Sequence, residues 1–275
     1  MKTLSAFTEN HPAEWLLSFD FDGTLVGHDE DPMVQPKLFQ MIETMRVSHR
    51  ALWGINTGRS LAHVLEGMLE AKFAFMPDFI IAREREIYLK NEFNRWVGIA
   101  EWNKNCEKAH KKLFRKNKKI LKGLRKWVEA NTQAQWGSQE GEPAGIVSTT
   151  VDEMNMIVQK IDEEITSAPD LSYQRNSIYL RFSHSAYHKG SALAEFARLK
   201  GIDLDKRFTM GDGHNDTDML DKSIAQYIAC PENSDDDVKQ HVLSRGGFVA
   251  KGTASHGVID ALSVLLHTEE ICIHE

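Results

Sequence analysis

SFDFDGTLV, residues 18–26, sets two aspartates one residue apart where an apolar run ends. That run, WLLSFDF (15–21), closes on a Gly-Thr turn, the pattern of a short buried strand. Side chains at i and i+2 of an extended strand point to one side. Asp20 and Asp22 are therefore expected to face together, with Phe19 and Phe21 on the other side. Two adjacent carboxylates are tolerated when a divalent cation neutralises one or when one carries a proton. Taken alone, the pair also reads as a solvated strand-end turn.

Working outward, KLFQMIETMRV (37–47) carries apolar residues at helical spacing, ALWGINTG (51–58) reads as a second buried strand, LAHVLEGMLEA (61–71) as a helix and DFIIA (78–82) as a third strand. Strands alternating with helices imply right-handed crossovers and a parallel sheet. The same pattern returns late: KGSALAEFARLKGI (189–202) as helix, RFTMGDG (207–213) as strand, DTDMLDKS (216–223) as short helix, QYIAC (226–230) as strand and GVIDALSVLLH (257–267) as closing helix. Between them lies a long basic helical stretch within residues 103–130. A Gly/Ser/Gln-rich turn region (136–145) follows, then strand-like AGIVSTTV (144–151) and NSIYLRF (176–182) flanking the helical MNMIVQKIDEEI (154–165). The expected organisation is an α/β core of residues 1–86 and 184–275, interrupted by an α+β insert at 87–183.

The 275 residues suffice for a sizeable core, and 41% hydrophobic with 27% charged residues is an ordinary globular balance. A formal net charge of −7 gives nucleic acid no general attraction. MKTLSAFTENHPAEW at the start lacks the apolar core of a signal peptide, and no run approaches a membrane span. Cys106, Cys230 and Cys272 are odd in number and not in metal-ligand spacing, so a reducing cytoplasm is the expected compartment.

Three further pieces bear on chemistry. Thr57 and Gly58 in GINTGRS (54–60) stand at a strand end before a helix, where a hydroxyl and free amides suit a phosphate oxygen; Thr57 alone also reads as a helix N-cap. Lys189 stands at a helix entry, where a cation opposes the helix dipole unless an anion partners it; a solvated lysine is the alternative. GDGHNDTDML (211–220) has two glycines for a tight turn, and Asp212, Asn215 and Asp216 offer the oxygen donors that Mg²⁺ prefers.

Taken in order, these four pieces resemble the haloacid dehalogenase superfamily of phosphohydrolases, whose pattern is D-x-D-G-T, a Ser/Thr after a strand, a Lys, then G-D-x-x-N-D. The insert resembles the large α+β cap class (subfamily IIB), which includes Cof-type and sucrose-phosphate phosphatases, and VAKGTASHGVIDAL (249–262) is similar to the closing segment of sugar-phosphatase members. The resemblance implies a Rossmann-like parallel-sheet core with an inserted cap closing over it. It implies a cytoplasmic, Mg²⁺-dependent phosphatase acting on a small phosphorylated metabolite, most plausibly a sugar phosphate; the alternatives are a phosphomutase and a non-catalytic phosphometabolite-binding protein. It further implies Asp20 as nucleophile and Asp22 as acid and base, with Thr57 and Lys189 stabilising the phosphoryl group. Metal would be held by Asp20, the backbone carbonyl of Asp22, and Asp212, with Asp216 or Asn215 in support. Gly58 and Asn215 would help bind substrate.

The chain departs from the family pattern at Arg83-Glu84-Arg85, where relatives commonly carry small residues such as Asn-Gly-Ala. Arg83 and Arg85 are candidates for binding substrate, or for surface ion pairs worth little. The basic stretch 104–126, with Leu113, Ile120, Leu121, Leu124 and Trp127 at helical spacing, reads as a solvated helix face, then as a surface attracting anionic substrate, and third as a site for nucleic acid or a calmodulin-like partner. His184 and His188 read as substrate contacts or loop histidines, and HDEDP (28–32) as a solvated loop.

Overall fold

The computed structural model describes residues 12–137 and 144–272. The N-terminal residues 1–11 and most of the 136–145 turn region lie outside the described residues, as does the side chain of Cys272. The chain divides into two compact units. The first runs through Ile99 and resumes with Lys189–Asp212 and from Asp216 onward; the second comprises Ala100–His188 and Gly213–Asn215.

The first unit is built on an eight-stranded sheet. Its strands are β1 (Trp15–Phe19), β2 (Ala51–Asn56), β3 (Phe79–Ala82), β4 (Glu86–Lys90), β5 (Trp96–Gly98), β10 (Arg207–Met210), β11 (Tyr227–Cys230) and β12 (Phe248–Val249). They lie in the order β12-β11-β10-β1-β2-β3-β4-β5, parallel from β12 to β3 and antiparallel from there to β5. All five residues of β1 are buried, as a central parallel strand covered on both faces requires. Gly54 in β2 has a packing reason: a Cβ there would fall 2.4 Å from the Phe79 ring. That ring stacks on Phe196 at 4.2 Å between centroids.

Helices α1 (Pro36–Ser48), α2 (Leu61–Glu70), α6 (Lys189–Lys200), α7 (Asp236–Ser244) and α8 (Ala254–Cys272) complete this unit. Pro36 starts α1, where its missing N–H costs nothing. Ser60, not Thr57, caps α2, its side chain accepting from the N–H of His63.

In the second unit β6 (Gln135–Gly137), β7 (Gly145–Val147), β8 (Leu171–Asn176) and β9 (Tyr179–His184) form an antiparallel sheet in the order β6-β7-β9-β8. Helices α3 (Ala100–Lys116), α4 (Lys118–Asn131) and α5 (Val151–Ile165) pack with it around Val128, Ile146, Ile157, Ile161, Leu180 and Phe182.

Several expectations change. Residues 87–99, expected in the insert, extend the core sheet as β4 and β5, and residues 184–188 group with the second unit. The basic stretch is two helices that meet at Asn117, whose backbone N–H (2.9 Å) and side-chain amide (3.1 Å) both donate to the Leu113 carbonyl. Its apolar residues Leu113, Leu121 and Leu124 are buried, as the spacing predicts. The strand expected at 176–182 is the second half of a hairpin that turns at Ser177. DTDMLDKS (216–223) is a run of turns after a 3-10 turn at His214–Asp216, not a helix; the N–H groups of Met219 and Leu220 both donate to the Asp216 carbonyl. Among the described residues, no helix is long and apolar enough to cross a membrane.

Candidate active site

The carboxyl ends of β1, β2 and β10, three adjacent parallel strands, bring the four sequence pieces together. In such sheets this is where ligands bind. Asp20 continues β1 by one residue, its N–H donating to the Met210 carbonyl of β10 at 2.9 Å. Lys189, the first residue of α6, has a fully buried side chain. Its Nζ donates to Asp20 Oδ1 (2.7 Å) and to Asp216 Oδ1 (2.6 Å), so the solvated-lysine alternative fails. Asn56, at the end of β2, donates to the Lys189 carbonyl at 3.0 Å and fixes the entry of α6.

Asp212 completes the group. One oxygen from each of Asp20, Asp212 and Asp216 lies within 4.8 Å of the others. Thr24 Oγ1 donates to Asp212 Oδ1 at 2.8 Å, and the Asp212 N–H donates to Asp216 Oδ2 at 3.0 Å. Gly23 sits at φ +76°, and a Cβ there would lie 2.4 Å from Asp212 Oδ2, so only glycine lets the turn pass so close. Asn233, after β11, donates to the Gly23 carbonyl and accepts from the Ala254 N–H at the start of α8, both at 2.8 Å.

Burial, then the charges of Asp216 and Asp212, push the Asp20 carboxyl well above the usual range, against the pull of Lys189. Burial and the Asp216 charge likewise raise Asp212 to about 7. Burial alone would lower Lys189, but the charges of Asp20, Asp216 and Glu84 outweigh it and hold the ammonium ionised.

The Asp22 carboxylate is not one of the three that meet there: β1 ends at Phe19, and Asp22 lies in the turn beyond it. Its Oδ2 accepts from Arg59 Nε (2.8 Å), and its Oδ1 from Arg59 Nη2 (2.6 Å), with His28 Nε2 at 2.7 Å. Burial raises its carboxyl, but these hydrogen bonds and charges outweigh burial and hold it below the usual range. The loop at 28–32 is thus not merely solvated: His28 meets Asp22, and Glu30 accepts from Thr253 at 2.8 Å.

Thr57 is buried. Its N–H donates to the Ile81 carbonyl (2.8 Å), and its hydroxyl accepts from the Arg59 N–H (3.1 Å). Gly58 lies between them, partly exposed. Arg83 and Glu84 occupy the centre of the tight β3–β4 turn at φ 49° and 66°, and Arg85 N–H closes it on the Ala82 carbonyl at 3.1 Å. These are the backbone positions where the family's Asn-Gly fits without strain, and non-glycine residues there cost roughly 1–3 kcal/mol each. Arg83 pairs with Glu86 at 3.4 Å, and Arg85 donates to the Arg83 carbonyl at 3.1 Å. Asn215 is in the 3-10 turn between Asp212 and Asp216 and groups with the second unit.

Sequence reasoning missed Arg59, Thr24, Asn56 and Asn233. Arg59 was signalled by its place two residues after a candidate phosphate hydroxyl; nothing in sequence marks Asn233, which works only through the turn it reaches. In the second unit, His184 N–H donates to His110 Nε2 at 3.2 Å, so its backbone serves the fold of that unit. Lys118, Lys122 and Lys126 line a cavity of about 620 Å³ in that unit, above Phe114, Leu121 and Trp136.

A family model described as haloacid dehalogenase-like hydrolase matches residues 69–262. No curated protein sequence matches. Among solved structures, a sucrose-phosphatase from Synechocystis sp. PCC6803 in complex with sucrose and phosphate is 16% identical at TM-score 0.69, covering 91% of this chain and 97% of that one. The HAD subclass IIB sugar phosphatase BT4131 is 15% identical at TM-score 0.61, covering 93% and 99%. BT1666 from Bacteroides thetaiotaomicron, studied among phosphatases of the same enzyme superfamily, is 18% identical at TM-score 0.60, covering 96% and 98%. At these identities the likeness establishes the fold, a Rossmann-like core with an inserted α+β domain.

Proposed function

The chain belongs to the haloacid dehalogenase-like hydrolases, and from that membership we propose that it is a phosphatase hydrolysing a small phosphorylated metabolite through an aspartyl phosphate on Asp20. The observation that carries this reading is the buried group of Asp20, Asp212 and Asp216 around the single ammonium of Lys189. Neighbours that are sugar phosphatases favour a sugar phosphate as substrate.

The donor set fits Mg²⁺. Three carboxylates share one cation, which leaves an excess of negative charge in a buried place, and all the donors are hard oxygens. Asp20, Asp212 and the Asp22 backbone carbonyl would hold the ion, with Asp216 in support. When bound, it neutralises charge between an anionic nucleophile and an anionic phosphate.

The chain's own residues divide the remaining work. Lys189 engages Asp20 Oδ1 and leaves Oδ2 to attack phosphorus. As the bond from phosphorus to the leaving oxygen breaks, Asp22 supplies that oxygen with a proton. A water then attacks the phosphorus of the aspartyl phosphate, gives its proton to Asp22, and frees both phosphate and Asp20. Lys189 and the Thr57 hydroxyl offset charge on the transferring phosphoryl group. Gly58 and Asn215 would contact its oxygens, and Arg83 and Arg85 the rest of the substrate.

A panel of sugar phosphates with Mg²⁺ tests the reading. Stoichiometric inorganic phosphate is the expected product; isomerised sugar phosphate with little release would indicate a mutase instead.

Metal-free stability should carry the mark of the same group. Asp212 has a folded pKa of about 7, above its unfolded value near 3.8. Its contribution to stability is therefore complete below about pH 4 and is lost as pH rises through 7. Metal-free wild type should lose roughly 5–10 °C of Tm between pH 4.5 and 7.5 relative to Asp212→Asn. Mg²⁺ at pH 7.5 should restore most of that loss in wild type and little in the variant. Parallel melting curves of the two proteins would count against the assignment.

A further inference from the structure

Arg59 fixes the carboxylate of Asp22 more firmly than a surface ion pair would. The fork of Nε on Oδ2 (2.8 Å) and Nη2 on Oδ1 (2.6 Å) sets the plane of the carboxylate as well as its place. The guanidinium lies over the Phe21 ring, 4.9 Å from its centroid, and Phe21 is fully buried, so the fork has a rigid backing. The backbone is held too. Arg59 N–H donates to Thr57 Oγ1 at 3.1 Å, and its carbonyl accepts from the Arg83 N–H at 2.8 Å. The hydroxyl assigned to phosphate and the carboxyl assigned to proton transfer thus share one support. His28, the other partner of Asp22, has a side chain 54% exposed and gives no comparable backing.

We propose that Arg59 is the positioning residue for the proton transfers of Asp22, its fork fixing the carboxyl so that one lone pair of Oδ2 stays free for them. The inference rests on the phosphatase reading given above. A carboxylate offers about four acceptor sites, two on each oxygen. Arg59 and His28 occupy both on Oδ1, and Arg59 occupies one on Oδ2, so one remains. Arg59 and His28 favour the ionised carboxyl at rest, so the first step draws on its minor acid form, whose proton leaves that site on Oδ2 for the departing alkoxide as the alkoxide's bond to phosphorus breaks. In the second, the proton of the attacking water returns to the same site, and the acid is regenerated. A lysine at position 59 would keep the charge but not the planar fork.

Leaving-group dependence separates this role from general support of the fold. A p-nitrophenolate departs without a proton, whereas an alkoxide needs one. The test measures kcat/KM, which reports the phosphorylation step, for p-nitrophenyl phosphate and benzyl phosphate with wild type, Arg59→Ala and Arg59→Lys, alongside Tm. Both variants should lose about 100-fold on benzyl phosphate and about 3-fold on p-nitrophenyl phosphate, the gap being the share of acid catalysis. Equal losses on the two substrates, no loss on either, or full rescue by Arg59→Lys would each overturn the inference while leaving the phosphatase reading in place. A wild type that releases no phosphate from any ester would overturn that reading, and the inference with it.

Discussion

Asp20→Asn should leave a folded protein that releases no measurable phosphate. The substitution exchanges one carboxylate oxygen for an amide nitrogen, which is neutral and does not attack phosphorus. A loss on the order of 10⁴-fold or more in kcat is expected, the scale on which removal of a covalent nucleophile acts. The fold should survive, because the buried Asp20 carboxyl resists ionisation: burial and the neighbouring Asp216 raise its pKa. An uncharged asparagine relieves that repulsion, and Lys189 keeps Asp216 as its partner. Tm in metal-free buffer at pH 7.5 should therefore be at or above the wild-type value. Phosphate release under single-turnover conditions, with a melting curve on the same sample, checks both halves. Activity above about 1% of wild type would remove Asp20 from the role of nucleophile.

Lys189→Ala should strike stability as well as turnover. Its side chain is fully buried, with Nζ at hydrogen-bond distance from both Asp20 and Asp216. Removing one partner of a buried ion pair costs about 3–5 kcal/mol, because the other charges are left uncompensated. For a chain of this size that is a fall of about 10 °C in Tm. Lys189→Met, which keeps most of the volume, should fall nearly as far, since charge and not cavity dominates. Acid should repair part of the damage: both variants should regain Tm relative to wild type at pH 5, where the carboxylates take up protons. A variant as stable as wild type at pH 7.5 would show that the three carboxylates do not depend on this ammonium.

The parts of the fold that were legible share one trait: their signal is local. Buried parallel strands such as Trp15–Phe19 and Ala51–Asn56 announce themselves as short apolar runs, and the four chemical pieces sit in turns whose residue types have local reasons. Asp20, Thr57 and Lys189, each open to a blander reading alone, were singled out with Asp212 by their order along the chain, and the side chains of Asp20, Lys189 and Asp212 fall in one group with Asp216. What escaped depends on distant partners. β4 is only partly buried and carries charges, and β5 is three residues long, so their membership of the core sheet is decided by pairing, β4 with Phe79–Ala82 and β5 with β4, and not by their own pattern. The helix expected at 216–223 is a run of turns whose Asp216 carboxylate meets Lys189 and the Asp212 N–H, the former a partner 27 residues away that local periodicity does not encode. Asp22 was expected beside Asp20 from strand periodicity, which stops one residue too early to apply. Arg59 escaped for a related reason: a lone arginine after a glycine has many uses, and only the carboxylate 37 residues away selects one.

The place of β1 in its sheet also governs when the molecule becomes complete. Its partner on one side, β2, begins 36 residues after it, but the partner on the other side pairs Leu16 with Arg207. At ribosomal speeds of about 5–20 residues per second, the chain between them takes roughly 10–40 s to emerge. For that interval the nucleophile strand is an open edge, the kind that pairs with the wrong neighbour. The four strands of the inserted unit meet only one another, all within Gln135–His184. The interruption can therefore finish folding before the sheet it interrupts, and the newborn protein spends its most vulnerable seconds with its chemical centre half built.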